Sequence, residues 1–103
     1  MARKVIWSYE ATDDLEDLAE YIAKDSSFYA AAFTHQILDI SHSLNEFSER
    51  GRIVPELGDP NIRELLIKEY RLIYNIEPCQ VVILAIVHGA RDLKALWERE
   101  TRG

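Results

Sequence analysis

Residues 51–93, GRIVPELGDPNIRELLIKEYRLIYNIEPCQVVILAIVHGARDL, decide the fold of this chain. Three runs within them, Ile62–Ile67, Tyr70–Ile76 and Gln80–His88, are rich in β-branched and aromatic residues. Tight punctuation separates the runs, which is the pattern of successive strands joined by turns. Lys68 and Glu69 form the first turn, without the Asn-Gly chemistry of the most favourable hairpins. Pro78 suits the second turn. The third run is almost continuously apolar and so predicts an interior, well-covered strand. Gly51, Pro55, Gly58 and Pro60 mark an irregular loop leading into the first run. Arg63, Arg71 and Arg91 lie inside or just beyond the strands. Arginines set among Ile and Tyr suggest that one sheet face meets another molecule.

Upstream the period changes. Lys4–Trp7 is a short strand candidate, and Ser8 can cap a helix whose first turns carry Glu10, Asp13 and Asp14 near its positive end. Ala11, Leu15, Leu18 and Ile22 recur on one helical face. The acids Asp13, Asp14, Glu16, Asp17 and Glu20 fall largely on the other side and read as a solvated surface. Asp25, Ser26 and Ser27 break the chain with cap chemistry. A longer helix follows, striped by Tyr29, Phe33, Ile37, Ile40, Leu44 and Phe47. So short a connection predicts an antiparallel helical hairpin. Phe28 and Leu38 lie off that stripe, near Ala31. They form a secondary groove for a partner or contact an end of the chain. The whole reads β-α-α-β-β-β: an α+β fold with an antiparallel sheet packed against an N-terminal helical hairpin, closed by a helical turn or two over Asp92–Arg99.

With 103 residues, the chain is one domain with a single modest core. Its longest apolar run, Val81–Val87, is too short to span a bilayer. No apolar stretch of signal-peptide length precedes Glu10. The single cysteine, Cys79, cannot form an internal disulfide, which fits a cytoplasmic protein. The net charge of −6 is uneven: residues 1–49 carry three basic against ten acidic side chains, residues 50–103 nine against eight. A protein that grips phosphates carries a basic patch, usually on a basic domain. Here any nucleic-acid contact is confined to the C-terminal half, and the asymmetry favours a protein partner.

Little in the chain reads as a metal or cofactor site. His35 and His42 are seven residues apart, there is no cysteine cluster, and neither a glycine-rich phosphate loop nor a serine elbow is present. Strand alternation is more informative. Arg63 shares a face with Leu65 and Ile67, Arg71 with Ile73 and Asn75, and His88 with Val82, Leu84 and Ile86. If Arg63, Arg71 and His88 converge, they offer charge stabilisation and proton transfer to an RNA phosphate. The competing reading pairs Arg63 and Arg71 with Glu56, Glu64 or Glu69 and braces the sheet.

The segments VIWS..A..DL..L..YIA.DS, GR.VPEL, IREL, YRLIY and HGARDL resemble, in order and spacing, the RelE/ParE superfamily of type II toxin–antitoxin toxins, the ParE branch most closely. The resemblance spans Val5–Leu93. It implies a compact cytoplasmic toxin of the kind involved in plasmid stabilisation. It further implies neutralisation by a small ParD-like antitoxin that wraps the hairpin and sheet, with Phe28, Ala31 and Leu38 as candidate contacts. RelE-like members cut ribosome-bound mRNA with sheet arginines and a C-terminal tyrosine or histidine. On that pattern Arg71, His88 and Arg91 would be catalytic. However, DLKALWERE after Arg91 holds neither tyrosine nor histidine, and IRELLI lacks the lysine pair of some such nucleases. ParE-like members instead poison DNA gyrase and hydrolyse nothing. On that pattern no residue is catalytic, and Arg63, Arg71, Tyr74, His88, Arg91 and Asp92 are contacts to the target or within the fold. A toxin that retains antitoxin binding but harms no target is the third reading. No cofactor and no metal is implied.

Overall fold

The computed structural model describes residues 2–90. Arg91, Asp92 and the helical turn expected over Asp92–Arg99 lie outside the described residues. The elements are β1 (Lys4–Trp7), α1 (Tyr9–Ala23), α2 (Ser27–Ser43), β2 (Arg52–Ile53), β3 (Ile62–Ile67), β4 (Tyr70–Ile76) and β5 (Gln80–His88). They build one sheet of order β1-β5-β4-β3-β2. The strands β2 to β5 pair antiparallel, each with the next, as the meander pattern predicts. Two features depart from a wholly antiparallel sheet of four strands. The first strand joins β5 in parallel, Lys4 opposite Gln80 and Trp7 opposite Ile83, so the sheet is mixed. The segment read as pure loop also contributes β2, a two-residue edge strand on β3. Two residues are too few to carry a legible period.

Local chemistry sets the helix boundaries. Ser8 Oγ accepts the Ala11 N–H at 3.1 Å, and Ser26 Oγ accepts that of Tyr29 at 3.0 Å. Each cap satisfies a donor that the first helical turn leaves unpaired. Ala11, Leu15, Leu18 and Ile22 of α1 face inward, and so do Phe33, Ile37 and Leu44 on α2 and its cap. The ends of the α2 stripe do not. Tyr29 is half-exposed, and Phe47 lies past the helix end at Ser43 and is largely exposed. Asp14 is the exception on the acidic face: its carboxylate accepts the Ile86 N–H at 3.0 Å. With β1 ending at Trp7, Ser8 N–H bonds Ile83 O, and beyond that point β5 has β4 on one edge but no strand on the edge that β1 occupied. Asp14 on α1 takes over as acceptor.

Two apolar layers result. The larger lies between sheet and hairpin, with Leu72, Tyr74, Val81, Ile83 and Ile86 against the helices. The smaller lies on the other face, where Val54 and Leu57 cover Ile73 and Val87. A register shift opposite Ile73 and Tyr74 makes Leu84 an extra residue in β5. Such a bulge inverts the alternation on its strand. His88 therefore shares the helix-side face with its partner Tyr70 and with Ile86, whereas Leu84 packs on the opposite face.

Tyr74 ties the sheet to the chain that leaves α2. Its ring is fully enclosed, its hydroxyl donates to Ser48 O at 2.7 Å, and it accepts the Gly51 N–H at 2.9 Å. A Cβ on residue 51 would stand 2.6 Å from that hydroxyl and 2.7 Å from Glu64 O, so only glycine fits without a shift. Tyr74→Phe keeps the ring but strands both backbone groups. The variant is expected to lose about 1–3 kcal/mol of unfolding free energy in urea titration, with an unchanged m-value.

Candidate functional site

The face of the sheet opposite the helices carries an ion network. Strand pairing puts Arg52, Glu64 and Arg71 on that side, and the turn after Val54 brings Glu56 over them. Arg71 Nε donates to Glu64 Oε1 at 2.5 Å, while its Nη1 and Nη2 donate to the two Glu56 oxygens, each at 2.8 Å. Arg52 Nε reaches the second Glu64 oxygen at 2.5 Å. The Glu64 side chain is 0% exposed and that of Arg71 5%. Two guanidinium groups and two carboxylates thus balance. The paired hydrogen bonds from Arg71 hold the Glu56 carboxyl down at about 2, partly opposed by burial. The same two partners push the Arg71 guanidinium further up, against the effect of burial.

The three side chains whose convergence would build a nuclease site are not brought together. Arg63 lies across from Tyr74 on the helix side, and its guanidinium donates to the carbonyls of Pro60, Glu49 and Gly51. His88 is also on the helix side but at the far end of the strands, edge-on to the Tyr70 ring. Its Nε2 is 4.0 Å from Glu69, and its Nδ1 accepts the Ala90 N–H. Only Arg71 and His88 meet a common cleft, an open hollow of about 580 Å³ around the β3–β4 turn that Arg52 and Lys68 also line. Among the described residues no cluster of three or more His, Cys, Asp or Glu could hold a metal ion. No helix there is long and apolar enough to cross a membrane.

A second feature lies on the outer side of the hairpin. A shallow, mostly apolar groove of about 470 Å³ runs between α1 and α2. Ala31 and Leu38 line it, with Ala19 and Ala23 supplying the facing wall. Phe28 is not among its lining residues but stands 84% exposed on the same helix. The α1 alanines were the residues that strand and helix periodicity could not single out. Their signal is smallness: alanine on both facing helices leaves a trough where larger side chains would fill it.

A helical hairpin laid on a mixed five-stranded sheet is the architecture of the RelE/ParE-like toxins. The chain superposes on a structure described as the chromosomal ParDE toxin–antitoxin system from P. aeruginosa with a TM-score of 0.70 at 18% identity, covering 84% of this chain and 96% of that one. It also matches an E. coli RelE toxin mutant solved in complex with an antitoxin RelB peptide, with a TM-score of 0.52 at 16% identity over 96% of this chain and 95% of that one. At such identities the likeness is one of fold. The sequence model for the ParE toxin of type II toxin–antitoxin systems, parDE, matches residues 5–93, and the chain belongs to that family. A relative from Caulobacter vibrioides, Toxin RelE2, is 32% identical over 89 residues, 85% of this chain and 97% of its own length.

Arg71→Ala would leave Glu64 buried with its main counter-charge gone. A loss of about 3–5 kcal/mol in chemical denaturation is expected, far beyond that of an exposed arginine. A pH dependence follows from Glu56. Its carboxyl binds a proton near 4.5 in the unfolded chain and near 2 in the fold. Between those values the unfolded state binds more protons, so this contribution is complete above about 4.5 and is lost as pH falls towards 2. The stability gap between wild type and Glu56→Gln should therefore narrow across that window. The change is modest, since part of this carboxylate faces solvent.

Proposed function

We propose that this chain is the toxin of a type II pair, neutralised by a ParD-like antitoxin seated in the α1–α2 groove. We further propose that it acts on DNA gyrase by binding rather than by cutting RNA. The observation that carries the choice of mechanism is the state of Arg71. The sheet arginine that a ribonuclease would aim at phosphate is 5% exposed and held by two carboxylates. A guanidinium already compensated in this way offers little to an incoming phosphate, and drawing it out would strand Glu64. The net charge of −6 supports the same reading, because RNA binding is driven chiefly by uncompensated positive charge. A gyrase poison needs no such surface. It must only favour the cleaved state of the enzyme over the resealed one.

The ribonuclease reading has one observation in its favour: Arg71 and His88 do line one cleft. Inducing the chain without its antitoxin separates the two. Accumulation of cleaved DNA that purified gyrase reproduces, with mRNA intact, is the expected outcome. Cuts in translated mRNA without DNA breakage would overturn it, and undisturbed growth would point to a toxin that has lost its target.

The groove makes a separate prediction. Ala31→Arg puts a long charged side chain into an apolar trough at an exposed position. Antitoxin co-purification is expected to fall at least tenfold, with the melting temperature within a degree or two of wild type. Unchanged co-purification would place the antitoxin elsewhere.

A further inference from the structure

At the end of the sheet where the β3–β4 turn meets the start of α2, a cavity of about 360 Å³ is walled by aromatic rings. The Tyr29 and Phe33 rings lie parallel within 4° at 6.1 Å, and the Tyr70 ring tilts against Phe33 at 6.0 Å. Tyr21, largely exposed, lines a further wall. The acidic residues Asp25 and Glu69 also line it. Stacked π-faces with acidic groups beside them form an environment that favours a cation over a neutral group.

The chain already uses it so. Lys68 Nζ lies 5.0 Å from the Tyr29 centroid and 5.8 Å from that of Phe33. Lys24 Nζ lies 5.9 Å over Tyr21. Two of the three lysines among the described residues thus approach rings that line this cavity. Lys68 does so from a left-handed backbone, φ 54°, at a turn position where glycine or asparagine is the unstrained choice. Because Lys68 is itself exposed and on a turn, its ammonium can withdraw without disturbing the core.

We propose that this aromatic cavity is a cation-recognition pocket, occupied by Lys68 in the isolated toxin and by an arginine side chain of the antitoxin in the complex. The partner half of this inference rests on the antitoxin reading above; the pocket itself does not. Arginine is the fitting cation, since its flat guanidinium stacks on a tyrosine or phenylalanine face and is more weakly hydrated than an ammonium. Charge complementarity agrees: the hairpin half of the chain, residues 1–49, carries ten acidic against three basic side chains.

The test is an NMR titration of the full chain with acetyl-arginine amide, using the neutral isostere acetyl-citrulline amide as control. Saturable shifts confined to the ring signals of Tyr29, Phe33 and Tyr70 are expected with arginine and not with citrulline. Lys68→Gly keeps the left-handed turn, removes the internal competitor and should tighten arginine binding at least threefold. Lys68→Arg should leave it near wild type, and Tyr29→Leu should weaken it about tenfold. Equal response to citrulline, or no gain in Lys68→Gly, would overturn the pocket. Co-purification with the antitoxin then reads the partner half. If Ala31→Arg releases the antitoxin but Tyr29→Leu does not, the partner reading stands and the arginine assignment falls. If the pocket binds arginine but neither substitution affects co-purification, the groove reading falls as well.

Discussion

Glu64, a carboxylate with no solvent-exposed side-chain surface, is the constraint around which the second face of the sheet is arranged. An isolated buried charge would cost several kcal/mol, so the surrounding chain has to supply positive charge at fixed geometry. Arg71 does so from the neighbouring strand and Arg52 from the edge strand, each on its own carboxylate oxygen. Glu56 then compensates the remaining charge of Arg71 from the loop. One network thereby fastens β2, the turn after Val54, β3 and β4. It gives the two-residue β2 a reason to pair that its own length does not provide. It also leaves the Arg71 guanidinium paired with two carboxylates.

The two faces of the sheet consequently have different work. The helix side buries most of the apolar side chains and anchors the exit of α2 through Tyr74, Ser48 and Gly51. The outer side of the hairpin is left with small residues on facing helices, a shallow apolar groove and an exposed Phe28.

Much of the architecture was legible in the chain. The limits of β1, β3, β4 and β5 follow from runs of Val, Ile and Tyr cut by turns, and both helix starts follow from serines placed three residues before a helical N–H. Spacing places Asp14 among solvated acids, and nothing local announces the strand edge whose Ile86 N–H it accepts. The ends of the α2 stripe were overextended for a similar reason. Periodicity continues to Phe47, but the backbone has already left the helix at Ser43. Of the groove alanines, Ala31 is legible beside Phe28 and Leu38, whereas Ala19 and Ala23 lie off the α1 stripe and become a wall only once the two helices face each other.

By itself, the sequence determined the order and kind of the elements other than β2, the places of cap chemistry, the acidic bias of the first half and the membership of the family, since each depends on residues close in the chain or on motifs in fixed order. Only the tertiary structure decided which arginines are spent. Arg63 and Arg71 alternate correctly along their strands, yet they lie on opposite faces, one against backbone carbonyls and the other between two glutamates. The bulge at Leu84 turned His88 to the helix side. The parallel seat of β1 beside β5 brings together residues more than seventy positions apart. Alternation states which residues share a face of one strand. Which face meets which neighbour is a property of pairing and register, and those are settled only when the whole sheet closes its hydrogen bonds and buries its charges in balance.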